Sequence, residues 1–593
     1  MRLPIAPRLP HLLTVCSGLT LAVALGLAGL APSRAEACGG TFCDSGPQVM
    51  PVDQSGENIL FWIDQNDGEP HTEAHIQIQY EGDPDRFAWV VPVMAVPEVL
   101  VGSQALFDNV LAGSVPTITI NSRFEGDCGS DDVVGCGFAL ADDLAAAGDD
   151  GTGANGDDGF GDDTPEILDR GFAGAFEYVV LTGETVTEIV DWLDAAGYAQ
   201  DEDAPPILDE YLQEGFVFVA FKLRGGTGVN EIHPIAIRYP GVEPCIPIRL
   251  TRIAATEDMA IRAFFLGHDR VVPQNWPHVV LNWAKFDWVF PSMDGYRELV
   301  SDAIDEAGGR AFITEYAGTD AVVSTVGIDD PAWDAGAFEA IEAVAVVDTL
   351  ASQGLLSCDF DGCEFRHPQV RPLLERYLPA PDGLDPEQYW GALADYAEQI
   401  DPVAWGTQPG FAAEFDERIS GPADHASEML VEATHLTRLY TLLSPHEMLE
   451  DPLFHETSSL GTVDNAITAT RVNSCGDSPS YMETPDGRTV ALEDFGTYPA
   501  FGPGSGYDMP CAERIERVPM MGPAQVETDN AGVIDDIIDE YNEGRLSGPS
   551  PFGCSLARLR PEAMLTMLAL FGLAWTQRAP RTGRRRRRSG AAE

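Results

Sequence analysis

Three runs between residues 59 and 93 constrain the fold more than any other feature of the chain. Residues 59–63 (Ile-Leu-Phe-Trp-Ile), 73–80 (Glu-Ala-His-Ile-Gln-Ile-Gln-Tyr) and 86–93 (Arg-Phe-Ala-Trp-Val-Val-Pro-Val) are rich in β-branched and aromatic side chains. Asp-Gly and Gly-Asp-Pro turns separate them. Short runs of this kind between turn formers are strands. Further strands are predicted at 176–181, 216–223, 232–239, 246–253, 260–266, 279–283 and 311–316. Helices fall from Thr185 or Thr187 to residue 196, at 206–213 and at 295–307, the last stopped by Gly308-Gly309. Beyond residue 330 the period changes, and 335–350, 369–377, 386–400, 411–419 and 428–442 read as amphipathic helices. Residues 474–519 read as loop and hairpin around Thr484-Pro485-Asp486-Gly487, and 533–541 as a last short helix. The expected class is α+β: a β-rich N-terminal half with a few helices, then a mainly helical second half.

Both ends point out of the cytoplasm. Arg2 and Arg8 precede an apolar run over 12–30, and Ala35-Glu36-Ala37 ends just before Cys38. A basic start, a short apolar segment and a small-x-small site make a secretory signal peptide, with cleavage expected between Ala37 and Cys38. An uncleaved anchor helix and a lipid-modified Cys38 are the alternatives. At the other end a Ser/Gly/Pro spacer leads to Cys554, a thirteen-residue apolar segment at 563–575 and the run Arg584 to Arg588. A span needs roughly 20 apolar residues, so this one is short, and arginines beyond it stay on the cytoplasmic side. The expected organisation is a signal peptide (1–37), a β-rich α+β domain (38–325), a helical domain (326–470), a loop- and hairpin-rich disulfide segment (471–543), a linker (544–553) and a tail (554–593). Residues 141–163, dense in Asp and Gly, form an insertion too polar for a core.

The net charge of −60 excludes nucleic acid as a partner, because such a surface repels phosphate backbones. The expected partners are the inner membrane through the tail, or a surface anchor, together with an envelope protein or glycan. In an oxidising compartment neighbouring cysteines pair by default. Cys38 with Cys43, Cys128 with Cys136, Cys358 with Cys363 and, more loosely, Cys475 with Cys511 are the candidates, which leaves Cys245 over.

Several strings resemble an uncharacterised bacterial family, domain of unknown function 2330. They include Ala37-Cys38-Gly39-Gly40 with Phe42-Cys43, Pro51-Val52-Asp53-Gln54, the stretch 74–80 leading to 87–92, Pro247-Ile248-Arg249-Leu250-Thr251 and Gly309-Arg310-Ala311-Phe312. Leu436-Thr437-Arg438-Leu439-Tyr440 extends the resemblance to about residue 450. It implies an exported protein and supplies no catalytic residues. The order of Cys554, apolar segment and arginine cluster is similar to the C-terminal sorting tags of myxobacterial surface proteins, which implies processing at Cys554.

One set of residues suggests chemistry. His71, Glu73 and His75 alternate along a strand and so share a face. Two imidazoles and a carboxylate suit a divalent metal with one open position. Solvent-facing polar alternation is the bland reading of the same pattern. Asp359, Asp361 and Glu364 around Gly362 suggest weak Ca²⁺ binding, although a full loop needs six or more oxygens. Trp276, Trp283, Phe286, Trp288 and Phe290 read as core rather than as a ligand groove. No Gly-x-Ser-x-Gly and no phosphate-cradling Gly-Lys-Ser/Thr loop occurs. The expected function is therefore a non-catalytic surface or periplasmic binding module, with a metal-assisted hydrolase at His71, Glu73 and His75 as the alternative.

Overall fold

The computed structural model describes residues 41–44, 53–65, 70–81, 87–126, 165–196, 198–199, 203–224, 232–359, 362–475 and 479–546. The expected cleavage site at Ala37 and Cys38, the residues Cys128, Cys136 and Asp361, the insertion 141–163 and the tail with Cys554 lie outside these. For Cys43 only the backbone is described.

The chain is α+β. Its centre is a ten-stranded sheet built from β1 (Asp53–Asp64), β2 (His71–Glu81), β3 (Glu98–Val101), β4 (Ile235–Pro240), β5 (Ala255–Gly267), β6 (His278–Leu281), β7 (Phe312–Gly318), β8 (His435–Leu443), β9 (Ala512–Arg517) and β10 (Gln525–Asp529). Across the sheet the order is β10-β9-β6-β7-β8-β5-β1-β2-β4-β3. Neighbours run antiparallel except β5 with β1 and β6 with β7. A six-stranded sheet that includes Phe87–Val93, Phe176–Thr182 and Val217–Leu223 packs against one face.

The alternation of β1 explains this layering. Ile59, Phe61 and Ile63 enter the core shared by the two sheets, where Phe61 stacks on Phe265 at 5.3 Å. Leu60 and Trp62 face the opposite way, beneath the helices Gln104–Ser114 and Gly421–Glu432. With cover on both sides the run is apolar throughout, and each side chain so buried stabilises by about 1.5–3 kcal/mol. Glu57, Asn58 and Asp64 on the same strand are buried polar exceptions, and Glu57 lines a cavity of about 40 Å³ between the sheets beside Trp89 and Tyr239. Helices Val186–Ala195 and Ala204–Gln213 cover the outer face of the six-stranded sheet. A separate helical cluster around Leu350, Leu373, Tyr377 and Phe415 forms a third core.

Helix Met293–Glu306 matches its expectation closely. Ser292 caps it by accepting the Gly295 N–H at 3.0 Å, and Gly308 and Gly309, both at positive φ, turn the chain out. Several predicted elements differ, among them 386–400, which is the helix Pro386–Gly391 followed by the 3₁₀ segment Leu393–Gln399. Residues 246–253 hold the short helix Ile248–Thr251 instead of a strand. The helix expected over 335–350 is two 3₁₀ turns and the helix Val346–Ser352. The helix expected over 428–442 breaks after Glu432, and His435–Leu443 is the central strand β8, buried on both faces. Leu436, Leu439, Tyr440 and Leu443 recur at three- and four-residue spacing, which a helix face and a doubly buried strand satisfy equally.

Candidate metal centre

The predicted alternation along β2 holds, and its register fixes the neighbours. His75 pairs with Leu60, Glu73 with Trp62 and His71 with Asp64, so the three polar side chains lie on the face roofed by helix Gly421–Glu432. Ala426 and Met429 of that helix pack on the sheet, and His425 beside them reaches the Glu73 carboxylate. Immediately before the helix, Asp416–Ser420 forms one π turn. A π turn adds a residue to the ladder and re-phases whatever follows.

Oε1 of Glu73 lies 2.7 Å from Nε2 of His425 and 2.7 Å from Nε2 of His75. The first is a hydrogen bond. The second is short but poorly aligned, and both ring nitrogens of His75 lack a hydrogen-bond partner although the residue is buried. The ligand atoms of Glu73, His75 and His425 all fall within 4.8 Å of one another. Arg238, across from Glu73 on β4, donates its Nε–H to Oε2 at 2.8 Å and reaches Glu98 at 2.9 Å. That bond fixes the carboxylate plane and leaves Oε1 to the imidazoles. Burial alone would raise the Glu73 carboxyl, but the hydrogen bond with His425 and the closeness of both imidazoles outweigh it and hold the group well below the ordinary range. The backbone at Gly102 closes on the centre from the side: a Cβ there would stand 3.1 Å from His75 Nδ1 and 2.9 Å from Pro234 Cβ.

His71 is not part of this group. It sits 3.6 Å from Asp64 and edge-on to Trp62. Residues four apart on a strand are about 13 Å apart, so a shared face is not a shared point. The third member of the cluster is His425, separated from Glu73 by 352 positions. No spacing in the sequence links the two.

The other candidate residues fall as follows. Cys358 and Cys363 form the predicted disulfide, across the hairpin Leu356–Asp359 and Gly362–Phe365. Asp359 pairs with Gly362 there and Glu364 with Ser357. Cys475 is disulfide-bonded, but the pairing with Cys511 is not made: Cys511 is a buried free thiol. Its backbone is held by Glu306 and Asn282, whereas the Cys475 N–H bonds to Glu125 on another sheet. Cys245 is a free thiol that burial, reinforced by Asp451, pushes well above its ordinary range, so it stays protonated. Trp276, Phe286 and Trp288 are core residues, Trp283 is partly buried and Phe290 is exposed. No helix among the described residues is long and apolar enough to cross a membrane.

The chain matches no curated protein and no solved structure. A family model described as an uncharacterized protein conserved in bacteria (DUF2330) matches residues 32–329, which takes in Glu73, His75 and Arg238 but not His425. That match spans half of the chain, which therefore belongs to this family of uncharacterized bacterial proteins.

Proposed function

We propose that the protein works outside the cytoplasm as an envelope-attached binding module, and that Glu73, His75 and His425 hold a divalent ion that pins the helix Gly421–Glu432 to the central sheet. The observation that carries the metal is the position of Glu73 Oε1, buried and 2.7 Å from two imidazole Nε2 atoms, one of them without a hydrogen bond. Imidazole and carboxylate ligands at one point suit zinc, and Arg238 orients the carboxylate as outer partners of metal ligands do. Enclosure between sheet and helix suits a structural ion. Export is supported by the basic-apolar start with its Ala37 site and by the apolar segment and arginine cluster that follow Cys554.

The rival reading, a metal-assisted hydrolase, keeps Glu73 and His75 and needs substrate to reach an open ligand position. His425, at 18% exposure, is the side from which it would enter. Elemental analysis of the purified mature body tests the centre. One zinc per chain is expected, lost in both His75→Ala and His425→Ala. A metal-free wild type that stays metal-free after incubation with zinc overturns it. Ester or peptide hydrolysis lost together with the zinc would favour the hydrolase.

A further inference from the structure

We propose that a second site, a cavity of about 440 Å³ beside β6, β7 and β9, binds a small organic monocarboxylate, with the carboxylate on Arg270 and the apolar body towards Trp283. This deepens the binding-module reading by naming the chemistry of a ligand, and it is independent of the metal centre.

Arg270, on the short strand Arg270–Pro273, is 7% exposed and lines the cavity. Its hydrogen bonds go to neutral groups: to the Gly461 carbonyl at 2.7 Å, to Thr314 Oγ1 at 2.9 Å and, longer, to His278 Nε2 at 3.5 Å. Its Nε has no partner, and it makes no ion pair among the described residues. A buried cation is costly unless it is paired. In a chain with net charge −60, where acids abound, no carboxylate among the described residues bonds to this one, although Glu516 lies close enough to act on it.

The acids that line the same cavity are engaged elsewhere. Glu516 accepts from Arg514 Nε at 2.8 Å and from His278 Nδ1 at 3.2 Å. Glu315 accepts from Tyr296 at 2.7 Å and from Arg438 Nε at 2.5 Å. Asp464 is exposed and accepts the Ala466 N–H. Proton placement follows from the donors. A guanidinium only donates, so the Thr314 hydroxyl gives its hydrogen to His278 Nε2 at 2.9 Å, and His278 Nδ1–H goes to Glu516. Thr314, His278 and Glu516 satisfy one another; the Nε of Arg270 is shut off from solvent, and the second Nη1 N–H, beyond the one given to Gly461, is the donor left for a ligand. Burial draws Arg270 down to about 10, only partly offset by Glu516, so it is still a cation at neutral pH.

The shape and charge of the cavity narrow the ligand. Its volume falls within the roughly 300–1,000 Å³ of small-molecule sites. Trp283, Leu281, Ile313, Val463 and Ile467 give it an apolar wall. One unpaired cation matches one negative charge, while Glu315, Asp464 and Glu516 nearby repel a dianion such as phosphate. An anion with an apolar body fits both demands.

Calorimetric titration of the purified mature body with benzoate and with hexanoate tests this, with benzamide as the neutral isostere and inorganic phosphate as the dianion. At least one carboxylate is expected to bind at a single site at millimolar concentration or below, while benzamide and phosphate give no saturable heat. Arg270→Met should abolish binding without lowering the melting temperature, and Arg270→Lys should weaken it. His425→Ala, which removes the metal centre, should leave binding intact, so the two sites fail separately. No saturation by either carboxylate, or equal binding of benzamide, overturns the proposal, and the benzamide comparison needs no variant to fold.

Discussion

Consider the substitution Glu57→Gln in the cavity between the two sheets. Glu57 is buried, its Oε2 has no hydrogen-bond partner, and burial raises its carboxyl from 4.5 to about 7. Each pH unit of such a change is worth 1.36 kcal/mol, so ionised Glu57 costs the folded protein about 3 kcal/mol. The sign follows from proton binding. Between 4.5 and about 7 the folded state holds a proton that the unfolded state has released, so the contribution is intact below 4.5 and is lost as pH rises through about 7. Glutamine keeps the shape and cannot ionise. Its unpaired amide adds a penalty of about 1 kcal/mol that does not vary with pH. Urea unfolding followed by tryptophan fluorescence, run on both proteins at about pH 5 and about pH 8, isolates the varying part. The variant should gain about 2–3 kcal/mol on the wild type between those two conditions. A difference that stays constant, or that shrinks as pH rises, would refute the reasoning, because it would mean that Glu57 is ionised and solvated throughout.

Acid should act in the opposite sense through His233 and His367, both held down to about 4 by burial. Their contribution is complete above 6.5 and lost as pH falls towards about 4, at about 3 kcal/mol each. For His233 the cause is visible, since its Nε2 accepts the Ala175 N–H at 2.9 Å and a proton there would break that bond; His233→Gln should flatten the acid limb of a stability–pH curve. Gly102→Ala should push His75 aside, lowering zinc content and costing about 1–3 kcal/mol in denaturant unfolding. An alkaline-phosphatase fusion after residue 545 should be active in cells, and an inactive fusion would sink the envelope location.

The strands of the central sheet were legible where a turn former brackets an apolar run, as at Ile59 to Ile63, and a helix was legible where a stop ends it, as at Gly308-Gly309. Strand β8 was not legible, because a segment buried on both sides loses the polar face that separates the two periods. The centre divides in the same way. Glu73 and His75 are two apart on one strand, and alternation alone puts them together. His425 arrives because a helix is roofed onto that strand by Ala426 and Met429, a tertiary fact with no local trace. Arg270 was invisible for a related reason: what marks it is that none of the carboxylates around its cavity bonds to it, a fact of space and not of sequence.

The place of β8 bears on how the chain comes to be folded at all. It lies between β5 and β7 and pairs with both, yet it follows them by well over a hundred residues, after the whole helical cluster has been made. Until residue 443 has emerged, β5 and β7 each present an unpaired, apolar edge, which invites association with other chains. The family-matched segment 32–329 ends before that strand. Expressed alone, it should aggregate or bind a chaperone, while a chain continued through residue 546, which supplies β8 and also β9 for the edge of β6, should be recovered soluble. Export, as proposed above, would suit this design: the chain would cross the membrane unfolded and close its sheet only once the late strand is available on the far side.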